Sequence, residues 1–209
     1  MHTFASRLSF AALLLLLVCR FAAAQTTTET FESSANTTGA TTFTSQGKTF
    51  TINSIVKLFS IDAKYAGTGW SGTAADNKYI DNDNNATQNS GVDFSIKTQD
   101  ASKFSVRSFW LYLSDYQAHL GASGSVTIVG KLGGAVKFTA GPVSIGFNSS
   151  INVSNGFSLI DLANFGGTNH SHVVIDELEV QTAAHFEYIA LDALTWTLLD
   201  DQIFASEFE

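Results

Sequence analysis

The sequence predicts an all-β protein, a two-sheet antiparallel β-sandwich of the jelly-roll kind. Short segments with two-residue alternation of apolar and polar residues follow one another along most of the chain. Clusters of Gly, Asn, Asp and Ser separate them at short intervals, and no segment carries a sustained helical stripe with caps. Phenylalanine is abundant, 17 of 209 residues, which suits two sheets closing on a shared aromatic core. An up-and-down barrel is the alternative, and no internal repeat is visible.

Taken in order, residues 25–40 are polar and short of core residues apart from Phe31, so they form either a lead or a first edge strand. The single domain is expected over residues 41–199. "TTFTS" and "KTFTINSIVKLFSI" open it, the second breaking near Asn53 and Ser54, and "GVDFSIKT" follows a long polar run. In "SKFSVRSFWLYLSD", Phe104, Val106, Trp110 and Tyr112 alternate with Phe109, Leu111 and Leu113, the pattern of a central strand buried on both faces. "GSVTIVGKLGGAVKFTA" reads as a hairpin turning at Gly133 and Gly134, a pair that tolerates positive φ. "GFSLIDL", "SHVVIDELEVQT" and "HFEYIALDALTWTLL" complete the set, and strict alternation in the last puts Asp192 on the face of Tyr188 and Trp196. The lone proline, Pro142, falls between strands. Trp110 and Trp196, inside strands, are expected in the core.

The ends and the charge bound the function. Arg7, the apolar block "FAALLLLLVC" and the small-residue pair Ala22 and Ala24 mark residues 1–24 as a secretory signal peptide. The apolar run is too short to span a bilayer, so a secreted, extracellular protein with no membrane insertion is expected. Removing 24 of the 209 residues leaves 185, enough for one well-buried domain. The only cysteine, Cys19, leaves with the leader, so the mature chain has neither disulfide nor thiolate chemistry. The net charge of −8 becomes −10 once Arg7 and Arg20 are gone, which excludes nucleic acid as a partner. Residues 200–209 read as an acidic tail. N-glycosylation sequons stand at Asn36, Asn85, Asn148, Asn152 and Asn169, meaningful in a eukaryotic source.

The run "GTGWSGTAADNKYIDNDNNATQNSG", Gly67 to Gly91, is the first place to seek a site. Asp81, Asp83 and Asn85 alternate as the first ligands of an EF-hand do, but Ala86 stands where glycine should turn the loop and Val92 where a bidentate glutamate should close it. A different calcium geometry, using Asp76, Asp81 and Asp83, competes with an ordinary turn in which Asp and Asn bond nearby backbone. Trp70 among glycines is either a sugar-stacking platform, with Asp76 and Asn77 bonding sugar hydroxyls, or a cap folded onto the core.

Elsewhere, Glu177 and Glu179 share a strand face, as two carboxylates of a glycosidase would, and as carboxylates on a solvated strand routinely do. His170 and His172 lack a further ligand for zinc. The nucleophile elbow, the HExxH zinc motif and the phosphate loop are all missing.

"GWSGTAADNKYIDN", "VDFSIKTQDASKFSVRSFWLYLS", "GSVTIVGKLGGAVKF", "VIDELEV" and "FEYIALDALTW" together resemble a recurrent extracellular β-sandwich module of bacterial secreted and cell-surface, adhesin-like proteins. A looser similarity is to carbohydrate-binding jelly rolls and galactose-binding-like domains, carried by Phe31–Glu32 near the start and Tyr188 to Asp192 near the end. That second resemblance implies a structural calcium held by Glu32 and Asp192; hydrogen bonds to a neighbouring turn are the other role open to a buried Asp192. The expected function is therefore non-catalytic binding of carbohydrate or another surface component in adhesion or matrix, with calcium a candidate cofactor and self-association open. The alternatives are an acidic structural matrix protein facing cations or mineral, and a polysaccharide-degrading jelly roll.

Overall fold

The computed structural model describes residues 25–34, 39–82 and 85–199. The expected leader, the tail, Asn36 and Asp83 lie outside them. Among the described residues, twelve strands form two antiparallel sheets. Sheet A takes β1 (Thr26–Glu29), β4 (Ser60–Ala63), β5 (Lys78–Asp81), β7 (Lys103–Ser114), β10 (Phe157–Asp161) and β12 (Tyr188–Leu199). Sheet B takes β2 (Thr42–Ser45), β3 (Lys48–Val56), β6 (Asp93–Thr98), β8 (Gly124–Leu132), β9 (Ala135–Val143) and β11 (Glu177–Ala184). Their orders are β10-β7-β12-β5-β4, with β1 also along β12, and β2-β3-β6-β11-β8-β9. From β5 onward the chain changes sheet at every connection except the β8–β9 hairpin, so neighbouring strands are far apart in sequence.

Phenylalanine rings fill the space between the sheets. Phe43 stacks on Phe50 at 4.9 Å, and Phe50 meets Phe104 edge-on at 5.5 Å and Trp196 at 5.0 Å. Trp196 is fully buried, and its indole N–H donates to Ser45 Oγ at 3.2 Å, so no polar group of the ring is stranded. Phe31 also enters this core, at a left-handed φ of 63°, just after β1 pairs with β12.

One irregularity decides which residues face the core. Across β12 and β7, Asp192 pairs with Trp110, Thr195 with Ser108 and Trp196 with Val106. Ala193 and Leu194 thus oppose Phe109 alone, and Arg107 is the extra residue on β7. Ala193 takes φ 47° to make the bulge. Each extra residue reverses the alternation of its strand. On β12 the inward side chains are Ile189 and Leu191 before the bulge and Leu194 and Trp196 after it; on β7 they are Phe104 and Val106, then Phe109, Leu111 and Leu113. Strict alternation fails here: Asp192 does not share a face with Trp196, and Trp110 faces away from the core that holds Trp196. A second departure is β5, hidden inside the polar run, where Tyr79 and Ile80 are buried between β4 and β12.

Phe50 sits at the hub of the aromatic cluster, so Phe50→Ala should lower unfolding free energy by about 3–5 kcal/mol. Guanidinium denaturation measures it, with the half-exposed Leu159→Ala as a control expected to change stability by less than about 0.5 kcal/mol.

Candidate functional site

The paired bulges turn Trp110, Tyr112, Tyr188, Ala190 and Asp192 to the outer face of sheet A, where Tyr79 and Phe157 join them in a second apolar cluster. Its rings meet edge-on, Tyr79 with Phe157 at 5.9 Å, Tyr112 with Phe157 at 5.6 Å and Tyr112 with Tyr188 at 5.9 Å. The segment from Lys64 to Asn77 folds over one end, and Trp70 lies flat on Trp110, centroids 4.9 Å apart and planes 18° from parallel. Both indoles stay half-buried. Trp70 therefore caps an aromatic cluster, but the one outside the sheet rather than the one between the sheets.

That loop is held by its own carboxylate and by β12. Asp76 Oδ2 accepts the Ser71 N–H at 2.7 Å, and Gly69 N–H donates to the Asp76 carbonyl at 3.0 Å. Asn155 reaches across to donate to the carbonyls of Gly67 and Gly69 at 2.9 and 3.0 Å. Gly69 is required by space, since a Cβ there would lie 2.0 Å from Asp76 Oδ1. Asp192 Oδ2 accepts the Trp70 N–H at 3.1 Å, and Oδ1 accepts the N–H of the bulge residue Ala193 at 2.6 Å. A single carboxyl group thus fixes both the bulge and the tryptophan above it.

Asp192 is fully buried, and burial pushes its carboxyl up to about 8, helped by the neighbouring Asp76, while the Trp70 and Ala193 N–H groups hold it down. Asp76 Oδ1 is itself buried with no fixed N–H or O–H reaching it. Asp76 and Asp192, 116 positions apart in sequence, are thus neighbours under the Trp70 loop, and the nearness of Asp76 adds to the effect of burial in raising Asp192.

The other residues singled out in the sequence are dispersed. Glu32 Oε1 accepts the N–H groups of Asn77 and Lys78, each at 2.7 Å, which ties the start of the domain to β5. Asp81 is fully buried, accepts the Tyr188 hydroxyl at 2.8 Å and lies 3.4 Å from Lys64 Nζ. Asn77 spends its backbone on Glu32 and Lys64. Among the described residues no three His, Cys, Asp or Glu side chains gather as a metal centre. Of the sequons, Asn152 and Asn169 are exposed, Asn85 is half-buried, and the Asn148 amide is engaged by the Val153 and Phe157 carbonyls.

Glu177 and Glu179 do share the outer face of sheet B, but each is met by a lysine, Lys97 at 3.5 Å and Lys131 in a close ion pair. His170 stacks on Phe138 at 4.6 Å while His172 is exposed, so they do not act together. Two residues the sequence does not mark do structural work at the far end of the polar run. Asn82 and Glu187, both fully buried, tie it to β12 and to the loop after β7, with Asn82 accepting the Ile189 N–H at 3.0 Å and Glu187 the Tyr116 N–H at 2.7 Å. The signal available for Glu187 was a carboxylate next to Phe186 in an otherwise apolar strand.

No family model matches the chain, and no curated protein matches it. Among solved structures it is similar to the K2 cleaved adhesin domain of Lys-gingipain, at 15% identity and TM-score 0.39 over 84% of this chain and 100% of that one. It is also similar to a family 32 carbohydrate-binding module from a family 31 glycoside hydrolase of Clostridium perfringens, at 12% identity and TM-score 0.36 over 71% and 91%. A third likeness is to the enzymatically active domain of bacteriophage CBA120 tailspike protein 4, at 13% identity and TM-score 0.35, where the match covers 72% of this chain and 19% of that one.

The buried Asp192 gives a pH dependence of known sign. Asp192 has a folded pKa of about 8, well above its unfolded value of about 3.9, so the stability tied to its neutral form is complete below about pH 4 and is lost as pH rises through 8. Asp192→Asn removes the charge and keeps one acceptor oxygen for the Trp70 N–H; it loses the second acceptor, which serves Ala193, by an amount that does not change with pH. The variant should gain on the wild type by roughly 3–6 kcal/mol between pH 4 and pH 8.5. Parallel denaturation midpoints for the two proteins across that range would rule the raised Asp192 pKa out.

Proposed function

We propose that the protein is a secreted, non-catalytic β-sandwich that binds carbohydrate, or another extracellular surface component, in adhesion or matrix. The observation that carries the reading is the half-buried Trp70–Trp110 stack on the outer face of sheet A. Indoles that neither enter the core nor point freely into water form a flat apolar platform, and such platforms bordered by a few fixed polar groups are how proteins hold the C–H faces of sugar rings. The half-exposed Leu159, opposite Trp110 on β10, extends the platform. Asp76 and Asp192 serve as loop anchors in this reading rather than as direct ligands, because both are buried beneath Trp70.

A shallow platform of this kind supports weak single-site affinity, with Kd between about 1 μM and 1 mM. Secretion rests on the leader pattern of residues 1–24, and among the described residues no helix is long and apolar enough to cross a membrane. The non-catalytic assignment rests on Glu177 and Glu179, whose lysine partners leave neither available as an unengaged acid or nucleophile. Calcium belongs to the same reading: a cation beside Asp192 would use the buried, unpartnered Asp76 Oδ1.

A glycan array in calcium-containing buffer tests the main reading. Binding should fall at least ten-fold in Trp110→Ala and in Trp70→Ala, and an array on which the wild type binds nothing overturns it. For calcium, thermal denaturation of the wild type should shift upward at millimolar calcium and that of Asp192→Asn should not. A wild-type midpoint that stays still removes the cation and leaves Asp192 as a buried acid without metal.

A further inference from the structure

The outer face of sheet B holds a polar array that the aromatic site does not use. Alternation on the central strands β6 and β11 turns Asp93, Ser95 and Lys97, and Glu177, Glu179 and Gln181, away from the core, while Phe94, Ile96, Leu178 and Val180 fill it. Ser95 stands opposite Glu179 on one side and Asn53 of β3 on the other; Asp93 stands opposite Gln181. Gln181 Nε2 donates to Glu179 Oε1 at 2.7 Å and to Asp93 Oδ2 at 3.2 Å, and Lys131 of β8 pairs with Glu179.

Two atoms in this array have nothing to bond. Ser95 is fully buried, and its hydroxyl has no partner; the buried Asp93 Oδ1 has no fixed donor. A buried hydroxyl between a carboxylate and an amide is a cost to the fold unless something outside the chain completes it. The same face supplies donors in Lys131 and Gln181 and acceptors in Glu179 and Asp93, within a patch three strands wide.

The charge on this face selects the class of ligand. Burial, the hydrogen bond with Glu179 and the charge of Glu179 push Asp93 up to about 7, whereas Glu179, despite burial, is brought down by its bonds to Lys131 and Gln181. At pH 7 Asp93 is therefore about half protonated while Glu179 is ionised, and Glu177 and Glu179 are balanced by Lys97 and Lys131. A nearly neutral patch that mixes charged donors and acceptors has no excess charge with which to hold an ion. Its strong hydrogen bonds suit vicinal hydroxyl groups, each of which both gives and takes a bond.

We propose that Asp93, Ser95, Glu179, Gln181 and Lys131 form a second ligand site, on the sheet opposite the tryptophan platform, which binds an uncharged sugar through adjacent hydroxyls. The sugar displaces the flexible heads of Gln181 and Lys131, donates to Asp93 and exchanges a hydrogen bond with Ser95. The site is independent of Trp70 and Trp110, so the molecule can hold two glycan chains on opposite faces.

Amide-resolved NMR titration of the full secreted chain with galactose, mannose and N-acetylglucosamine, each in millimolar steps, tests it. At least one sugar should move resonances of β6 and β11 around Asp93–Lys97 and Glu177–Gln181. Ser95→Ala and Asp93→Asn, each checked for an unchanged wild-type-like spectrum, should weaken that response at least five-fold, and Trp110→Ala should leave it in place. The proposal fails if no sugar moves these strands, if the shifts survive both substitutions, or if calcium chloride alone produces them, which would make this a cation site. Loss of array binding in Trp110→Ala with the β6–β11 response intact separates the two sites.

Discussion

The paired bulges of β7 and β12 are the constraint on which the rest depends. These two strands form the centre of sheet A, and with uninterrupted alternation one end of each would turn its large side chains away from the core. Placing Ala193–Leu194 against Phe109, and Arg107 as the compensating extra residue, reverses both strands together and keeps them in register. The core then receives Leu194, Trp196, Phe104 and Val106 from one end and Ile189, Leu191, Phe109 and Leu111 from the other. The same reversal sends Trp110, Tyr112, Tyr188 and Asp192 outward, so the outer aromatic cluster and the core have a common cause. Ala193 bears a left-handed φ of 47° for it, and the Asp192 carboxylate bonded to the Ala193 N–H stabilises that turn.

Asp192 also illustrates how this chain fastens its loops. With a single cysteine in the whole sequence no intramolecular disulfide can form. Carboxylates that accept backbone N–H bonds, most of them buried, take over that task. Glu32 holds Asn77 and Lys78, Asp62 holds Gly39 at 3.0 Å, Glu187 holds Tyr116, Asp176 holds Gly133 at 2.9 Å, and Asp192 holds Trp70. Charge-assisted bonds of this type are stronger than neutral ones and, because each joins residues distant in sequence, they define where a loop lies on the sheet. They share a weakness with every buried carboxylate: protonation state and desolvation set their value, and burial next to Asp76 holds Asp192 well above the ordinary carboxylate range.

The strands were legible because their alternation is a local property: the hairpin at Gly133–Gly134, the central position of β7 and the sandwich itself follow from it. What alternation could not show is a change of phase. Nothing in "YIALDALTW" distinguishes a bulge at Ala193 from a continuous strand, because Ala, Leu and Trp suit either face, and only the partner β7 with its extra Arg107 resolves the choice. That single ambiguity reversed the reading of Trp110. The short β5 was hidden for a different reason. "KYID" has only two apolar residues between runs of turn formers, and it becomes a strand because β4 and β12 offer an edge on each side. Trp70 was legible as distinctive, but its partner was not, since Trp70 and Trp110 are brought together only by the loop closing over sheet A.

The two outer faces of the sandwich are opposites in chemistry, and the difference traces back to the two sheets. Sheet A turns aromatic rings outward because its central strands change phase, so residues of core type are left on the solvent side and must be covered by the Lys64–Asn77 loop. Sheet B turns outward the polar half of its alternation on β6 and β11, and there the side chains cover one another through the Gln181 and Lys131 contacts. The loop over sheet A lifts only by breaking the Asp192–Trp70 bond and the two Asn155 bonds to Gly67 and Gly69 together, whereas a polar face covered by flexible side chains can exchange partners one hydrogen bond at a time. The outer face of sheet A is therefore fastened from two elements at once, while that of sheet B can rearrange residue by residue, which is what the proposed second site asks of it.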